Sequence, residues 1–168
     1  MLNFKGQLVY TLNDEDTMMI QRTFGSVSPN VAPLHVSLLS FAECKPFKKM
    51  WKGLDVDALC ADIEAPAITK ESIQSICKAQ KTMDDDEVRI VHFIELGSNA
   101  WNEYRSKVLM ALDPNPDPVI FQIDDREHYH ITIENNSDGD PYKSIGDPYA
   151  LPLLKEDLTP ASPEFRDE

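Results

Sequence analysis

No apolar run in the chain approaches the ~20 residues that a membrane-spanning helix needs, so no membrane is expected as a partner. Basic residues are scarce: 16 Lys and Arg stand against 29 Asp and Glu, a formal net charge of −13. Proteins that grip long nucleic acid usually show a basic face, because neutralising phosphates supplies most of that affinity. Long RNA or DNA is therefore not an expected partner, whereas a small phosphate-bearing ligand held by a few local groups is compatible with this charge. Cysteine is scarce too. Cys44, Cys60 and Cys77 are odd in number and have no CxxC spacing, which predicts reduced thiols rather than a disulfide framework. The opening "MLNFKGQLVYTLNDED" lacks a basic head, an apolar run and a small-residue cleavage site. Export is not expected from it, and a cytoplasmic location is.

What is present fits a soluble globular protein: 42% hydrophobic and 27% charged residues over 168 positions. That length supports one core with no need of disulfides or metal. The segment "QLVYTL" (7–12) reads as a strand. "NDEDTMMIQRTFG" (13–25) reads as a helix, with Asn13 or Asp14 as N-cap, acids in its first turn and Gly25 at its end. "VSPN" (27–30) is a loop before a strand in "VAPLHVSLLSF" (31–41). "FKKMWKGLDVDALCADI" is helical in part and interrupted near Gly53, and 65–80 leans to strand. "EVRIVHFIEL" (87–96) is a β-branched-rich strand. In 98–114, Trp101, Tyr104, Val108 and Leu112 recur on one helical face and Pro114 follows. "NPDPVIFQIDD" (115–125) is a turn leading into a strand, and "HYHITIEN" (128–135) is another strand. Gly-Asp-Pro-Tyr occurs at 139–142 and again at 146–149 as turn chemistry. Its Asp spacing does not suit a calcium loop, and no metal or cofactor is expected. These elements predict an α+β domain over 1–150 and an acidic flexible tail over 151–168.

Two of the strands share an unusual pattern. His35-Val36-Ser37-Leu38 and His130-Ile131-Thr132-Ile133 each read histidine, β-branched residue, hydroxyl residue, aliphatic. In a strand, residues i and i+2 share a face. Each motif thus gives an apolar back, Val36 with Leu38 and Ile131 with Ile133, and a front bearing one imidazole and one hydroxyl. A lone His in a strand is most often structural. Here two copies match, and three of the four histidines lie in or beside them. The motifs are 95 residues apart, so they act together only if the fold brings them together. Such a pair suits phosphodiester cleavage: a neutral imidazole takes a proton from the attacking oxygen and a protonated one gives a proton to the leaving oxygen. Histidine's ordinary pKa of ~6.5 supplies both forms near neutrality, and hydroxyls can bind the non-bridging oxygens as charge develops there.

The paired H-x-[S/T]-aliphatic pattern, HVSL and HITI, one in each half of the chain, resembles the 2H phosphoesterase superfamily over roughly residues 7–135. That resemblance implies a bilobal, duplicated α+β fold, with antiparallel sheets forming a central cleft and helices outside. It implies His35 and His130 as the acid/base pair and Ser37 and Thr132 as phosphate-oxygen binders. The chain departs from the family where "DREHY" precedes the second motif in place of a common proline, and Ser37 stands where Thr is commoner. The small size resembles the phage anti-CBASS nucleases, which implies a phage protein degrading antiviral cyclic nucleotides in the host cytoplasm. Other members imply 2′-5′ oligoadenylate or 2′,3′-cyclic phosphate cleavage, or RNA-end processing as a 2′-5′ ligase or cyclic phosphodiesterase on tRNA. A non-catalytic nucleotide-binding module of the same fold is a further alternative.

Some flanking residues have both a plain and a functional reading. Tyr10 is a core aromatic or a ring that stacks a base. Trp51 lies in "ECKPFKKMWK" (43–52), which is either a solvated helix start with Phe47 and Trp51 turned inward or a phosphate- and base-contacting rim carrying Lys45, Lys48, Lys49 and Lys52. His128 is a surface residue or a substrate-binding imidazole. Glu134 is solvent-facing or orients an imidazole, and His92 is read as structural.

Overall fold

The computed structural model describes residues 1–24, 33–82, 86–112, 124–135 and 153–157. The expected loop at 27–30, most of the strand expected within 115–125 and both Gly-Asp-Pro-Tyr turns lie outside them. The chain divides into two compact units. The first comprises Met1–Leu12, His35–Ala67 and Gly97–Tyr129, and the second Asn13–Leu34, Ile68–Leu96 and His130–Glu168. Both are mixed α and β, so the α+β class holds.

The first unit is built on a three-stranded sheet of β1 (Leu2–Phe4), β2 (Leu8–Thr11) and β3 (His35–Leu39), paired antiparallel in that order. The β1–β2 turn is tight and uses Gly6 at φ +79°, a left-handed conformation that glycine adopts without penalty. A Cβ at Gly6 would also come within 3.2 Å of the Phe41 ring. Between β2 and β3 the register slips: Val9 lies opposite Ser37 but Leu8 opposite Leu39. The extra residue, Leu38, makes a bulge, and Leu38 and Leu39 are both fully buried beside Val36.

After β3 the chain enters α2 (Phe41–Cys44), closed by a capping box. Glu43 N donates to Ser40 Oγ, and Ser40 N donates to the Glu43 carboxylate. A tight turn leads to α3 (Lys48–Trp51), and Gly53 at φ +80° separates it from α4 (Val56–Leu59). This is the interrupted helical segment that the sequence predicts. The long helix α5 (Ser98–Leu112) buries Trp101, Tyr104, Val108 and Leu112, the residues whose spacing marked its apolar face.

The second unit begins with α1 (Asp14–Phe24). Asn13 Oδ1 accepts from Asp16 N at 2.8 Å, so Asn13 is the N-cap. Its sheet runs β6 (Tyr129–Asn135), β5 (Val88–Leu96), β4 (Ile73–Thr82) and β7 (Leu153–Asp157) in spatial order. Strand β4 is antiparallel to both β5 and β7. Cys77 and Ala79 from β4 pack with Val91 and Phe93 from β5 as a buried cluster. Strand β7 falls within the stretch the sequence reads as a flexible tail, and there the expectation is corrected. Pairing of 153–157 with Ser75–Ala79 supplies backbone hydrogen bonds that composition alone does not reveal.

The apolar backs of both His strands are in place: Val36 and Leu38 are 0% exposed, Ile131 0% and Ile133 8%. Truncating Leu38 to Ala is expected to cost about 2–5 kcal/mol through lost contacts and a residual cavity. Urea unfolding measures this, and a loss under about 1 kcal/mol would contradict its burial.

Candidate functional site

His35 opens β3 opposite Thr11 and is exposed, while Ser37 is half-buried opposite Val9. Ser37 is held at two points. Gln7 Nε2 donates to Ser37 Oγ at 2.7 Å, and Arg126 Nη1 donates to the Ser37 carbonyl at 2.8 Å. His130 and Thr132 in β6 are half-buried, and the His130 ring lies 5.0 Å from the Phe93 ring. His35 belongs to the first unit and His130 to the second.

Arg126 is the hub of a polar network that the sequence reading did not contain. Its guanidinium also donates to the Glu43 carboxylate, and its charge lies 5.6 Å from the centre of the Tyr129 ring. Glu43 faces a second cation, Arg105 Nη1, at 3.7 Å, and Arg105 Nη2 donates to the Asp124 carbonyl at 2.6 Å. Asn102 clamps the Arg126 backbone from both sides, donating to its carbonyl at 2.8 Å and accepting from its N–H at 2.9 Å. Tyr129 OH donates to Asn102 Oδ1 at 2.6 Å. Arg105 is 2% exposed and Tyr129 1%, and so deep a cation needs its counter-charge.

Burial pushes the Glu43 carboxyl up. The hydrogen bonds from Ser40 and Arg126, with the Arg126 charge, outweigh that push and hold it below the usual glutamate range. Burial pushes the Tyr129 hydroxyl up, against the pull of Arg105 and Arg126. The capping-box spacing, Ser40 to Glu43, was a legible signal for Glu43. Nothing local marked Arg126, whose partner Glu43 is 83 positions away.

Trp51 requires a correction. It is 0% exposed, stacked on Phe47 at 4.6 Å and edge-on to Phe4 at 5.5 Å, so no ring face is left for a base. Phe47 and Trp51 turn inward while Lys45, Lys48, Lys49 and Lys52 stay exposed. Tyr10 packs against Trp101 at 5.7 Å and Tyr104 at 6.0 Å, as a half-buried part of the aromatic core. His128 precedes β6 and sits 3.8 Å from the Glu127 carboxylate. Glu134 lies 3.5 Å from His92 Nδ1, a pairing with an imidazole other than His130.

Among the described residues, no group of three or more His, Cys, Asp or Glu side chains could hold a metal ion. None of their helices is long and apolar enough to cross a membrane, and all three cysteines are buried free thiols. An open groove of about 750 Å³ in the first unit is lined by residues including Asp62, Glu64, Lys107 and Met110, and it contains none of the residues predicted from the motifs. No family model, curated protein or solved structure matches this chain.

Because the folded Glu43 carboxyl titrates below its unfolded value, its stabilisation is fully present above the ordinary glutamate pKa of about 4.3. It is lost as pH falls through the lower folded value. Glu43→Gln is expected to lower stability at pH 7 by about 1.5–3 kcal/mol, the range for hydrogen bonds to charged groups. It should also flatten the fall in stability below about pH 4. Thermal unfolding at a series of pH values tests both, and a variant with the wild-type acid slope would remove Glu43 from the account.

Proposed function

We propose that this chain is a phosphodiesterase of the two-histidine kind, acting without metal on a small nucleotide, with a duplicated 2H-like fold. The observation that carries the reading is the common build of the two His strands. In each, the aliphatic residues of the motif are buried, and the imidazole and hydroxyl alternate with them at more accessible positions. An aliphatic strand needs neither a histidine nor a hydroxyl residue to pack. Finding the same pair twice, in separate compact units, is better explained by shared chemistry than by core design.

The chemistry assigns one imidazole as general base and the other as general acid. On a 3′-5′ linkage, the base removes the ribose 2′-hydroxyl proton and that oxygen attacks phosphorus in line. The acid protonates the departing 5′-oxygen, leaving a 2′,3′-cyclic phosphate. Water can then open the ring, with the two histidines exchanging roles. Ser37 and Thr132 hydrogen-bond the non-bridging oxygens, where charge accumulates. The acidic composition favours compact substrates: a cyclic oligonucleotide signal, a 2′-5′ oligoadenylate or a 2′,3′-cyclic phosphate. A phage protein that removes antiviral cyclic nucleotides is the biological setting most in keeping with this size and chemistry.

The test is turnover in the presence of EDTA, against 3′,3′-cyclic GMP-AMP, 2′-5′ triadenylate, a 2′,3′-cyclic nucleotide and a tRNA half ending in a cyclic phosphate. Wild-type activity should survive chelation. His35→Ala and His130→Ala should each lose about 10²–10⁴-fold, the range for general acid or base catalysis. Preference for the tRNA half would point to RNA-end processing. Binding without turnover would point to a nucleotide-binding module, and activity in either alanine variant near wild type would sink the mechanism.

A further inference from the structure

A serine hydroxyl has one proton to donate and two lone pairs to accept with, and the bond it already makes decides which way the proton points. Ser37 is half-buried in β3, and its Oγ receives the Gln7 amide at 2.7 Å. Its carbonyl is taken by Arg126 at 2.8 Å. The side-chain oxygen is thus engaged as an acceptor, and no acceptor for the hydroxyl proton exists among the described residues. Gln7 is itself fixed by the hairpin. It follows Gly6 in the tight turn, its carbonyl accepts from Lys5 N at 3.2 Å, and Phe4 pairs with Leu8 across the turn.

We propose that Gln7 is a positioning residue for the phosphate site: by donating into Ser37 Oγ, it turns the hydroxyl proton outward as a committed donor to a non-bridging phosphate oxygen. The proposal rests on the phosphodiesterase reading and assigns to it a residue that no motif marks. A free hydroxyl rotor must give up rotational freedom when a phosphate arrives. One already engaged as an acceptor is preorganised, and preorganised donors stabilise developing charge most effectively. The polarity of the Gln7 bond therefore matters more than its strength. A side chain of the same shape that accepts instead would draw the Ser37 proton inward and leave a lone pair facing the phosphate.

Three variants separate polarity from packing: Gln7→Met keeps the bulk without a donor, Gln7→Glu reverses the polarity, and Ser37→Ala removes the hydroxyl. Each is compared with wild type in thermal midpoint, kcat and KM on the preferred nucleotide of the panel, and in its preference between Rp and Sp monothiophosphate diastereomers of that nucleotide. Ser37→Ala should lose about 10²-fold or more in kcat, as when one oxyanion donor is removed, and should lose the diastereomer preference with it. Gln7→Glu should approach that loss. Gln7→Met should fall between, and in the Ser37→Ala background Gln7→Met should have no further effect. Such coupling, with the thermal midpoint unchanged, is not expected of a residue that only packs.

The donor direction has its own readout. In ¹⁵N-labelled protein, Ser37→Ala should shift the Gln7 side-chain amide protons and speed their exchange with water. An amide unmoved by Ser37→Ala overturns the proposal. So does a Gln7→Met enzyme with wild-type kcat and diastereomer preference. A wild-type protein that turns over none of the panel overturns the phosphodiesterase reading, and with it the role of Gln7, while the amide signal still decides the donor direction.

Discussion

The first unit depends on one acid holding two arginines. Glu43 caps its own short helix through Ser40 and, with the same carboxylate, faces both Arg105 and Arg126. Removing it would leave Arg105, almost wholly inside, without its counter-charge, a far greater cost than losing an exposed ion pair. The network joins elements distant in sequence. Strand β3 contributes a carbonyl, α2 the carboxylate, α5 an amide and a guanidinium, and residues 124–129 their backbone and the Tyr129 ring. Ser37 is held by this network at its carbonyl and by the β1–β2 hairpin at its hydroxyl.

Buried polar networks of this kind tolerate little rearrangement, because every member left unsatisfied carries a desolvation cost. That stiffness would suit the role proposed for Ser37 as a donor to a phosphate oxygen. The second unit treats its motif differently. His130 is packed near an aromatic ring on β5, and the acid at the far end of β6 pairs with His92. The two HxS/T strands are alike in sequence pattern and in the burial of their aliphatic residues, yet an amide and a guanidinium hold Ser37 whereas an aromatic ring lies beside His130.

Elements whose signal is local and repeated could be read from the sequence. Helix α1 announced itself through Asn13 and its acidic first turn, α5 through four large apolar residues at helical spacing, and β5 through its β-branched run. Alternation alone predicted the burial of Val36, Leu38, Ile131 and Ile133. Elements made by partnership were illegible. Strand β1 is three residues long, too short to show a period. Strand β7 is charged in three of its five positions and exists by pairing with β4. Trp51 looked like a binding residue because lysines surround it in sequence, whereas helical geometry points the lysines outward and the indole inward. Of the candidate residues, His35, His130, Ser37 and Thr132 came from the motifs. Gln7, Asn102, Arg105 and Arg126 did not, because their partners lie far along the chain, and for Glu43 only the capping-box contact was local, its arginine partners being distant.

Strand β7 carries a consequence for the integrity of the second sheet. It occupies the open side of β4 from Ser75 to Ala79, where unpaired N–H and C=O groups would otherwise be available to any other extended chain. A version of the protein ending before Leu153 would keep every residue of both histidine motifs. It would expose a β-rich border containing Ile76 and Cys77, and its first failure would be self-association in solution rather than lost chemistry.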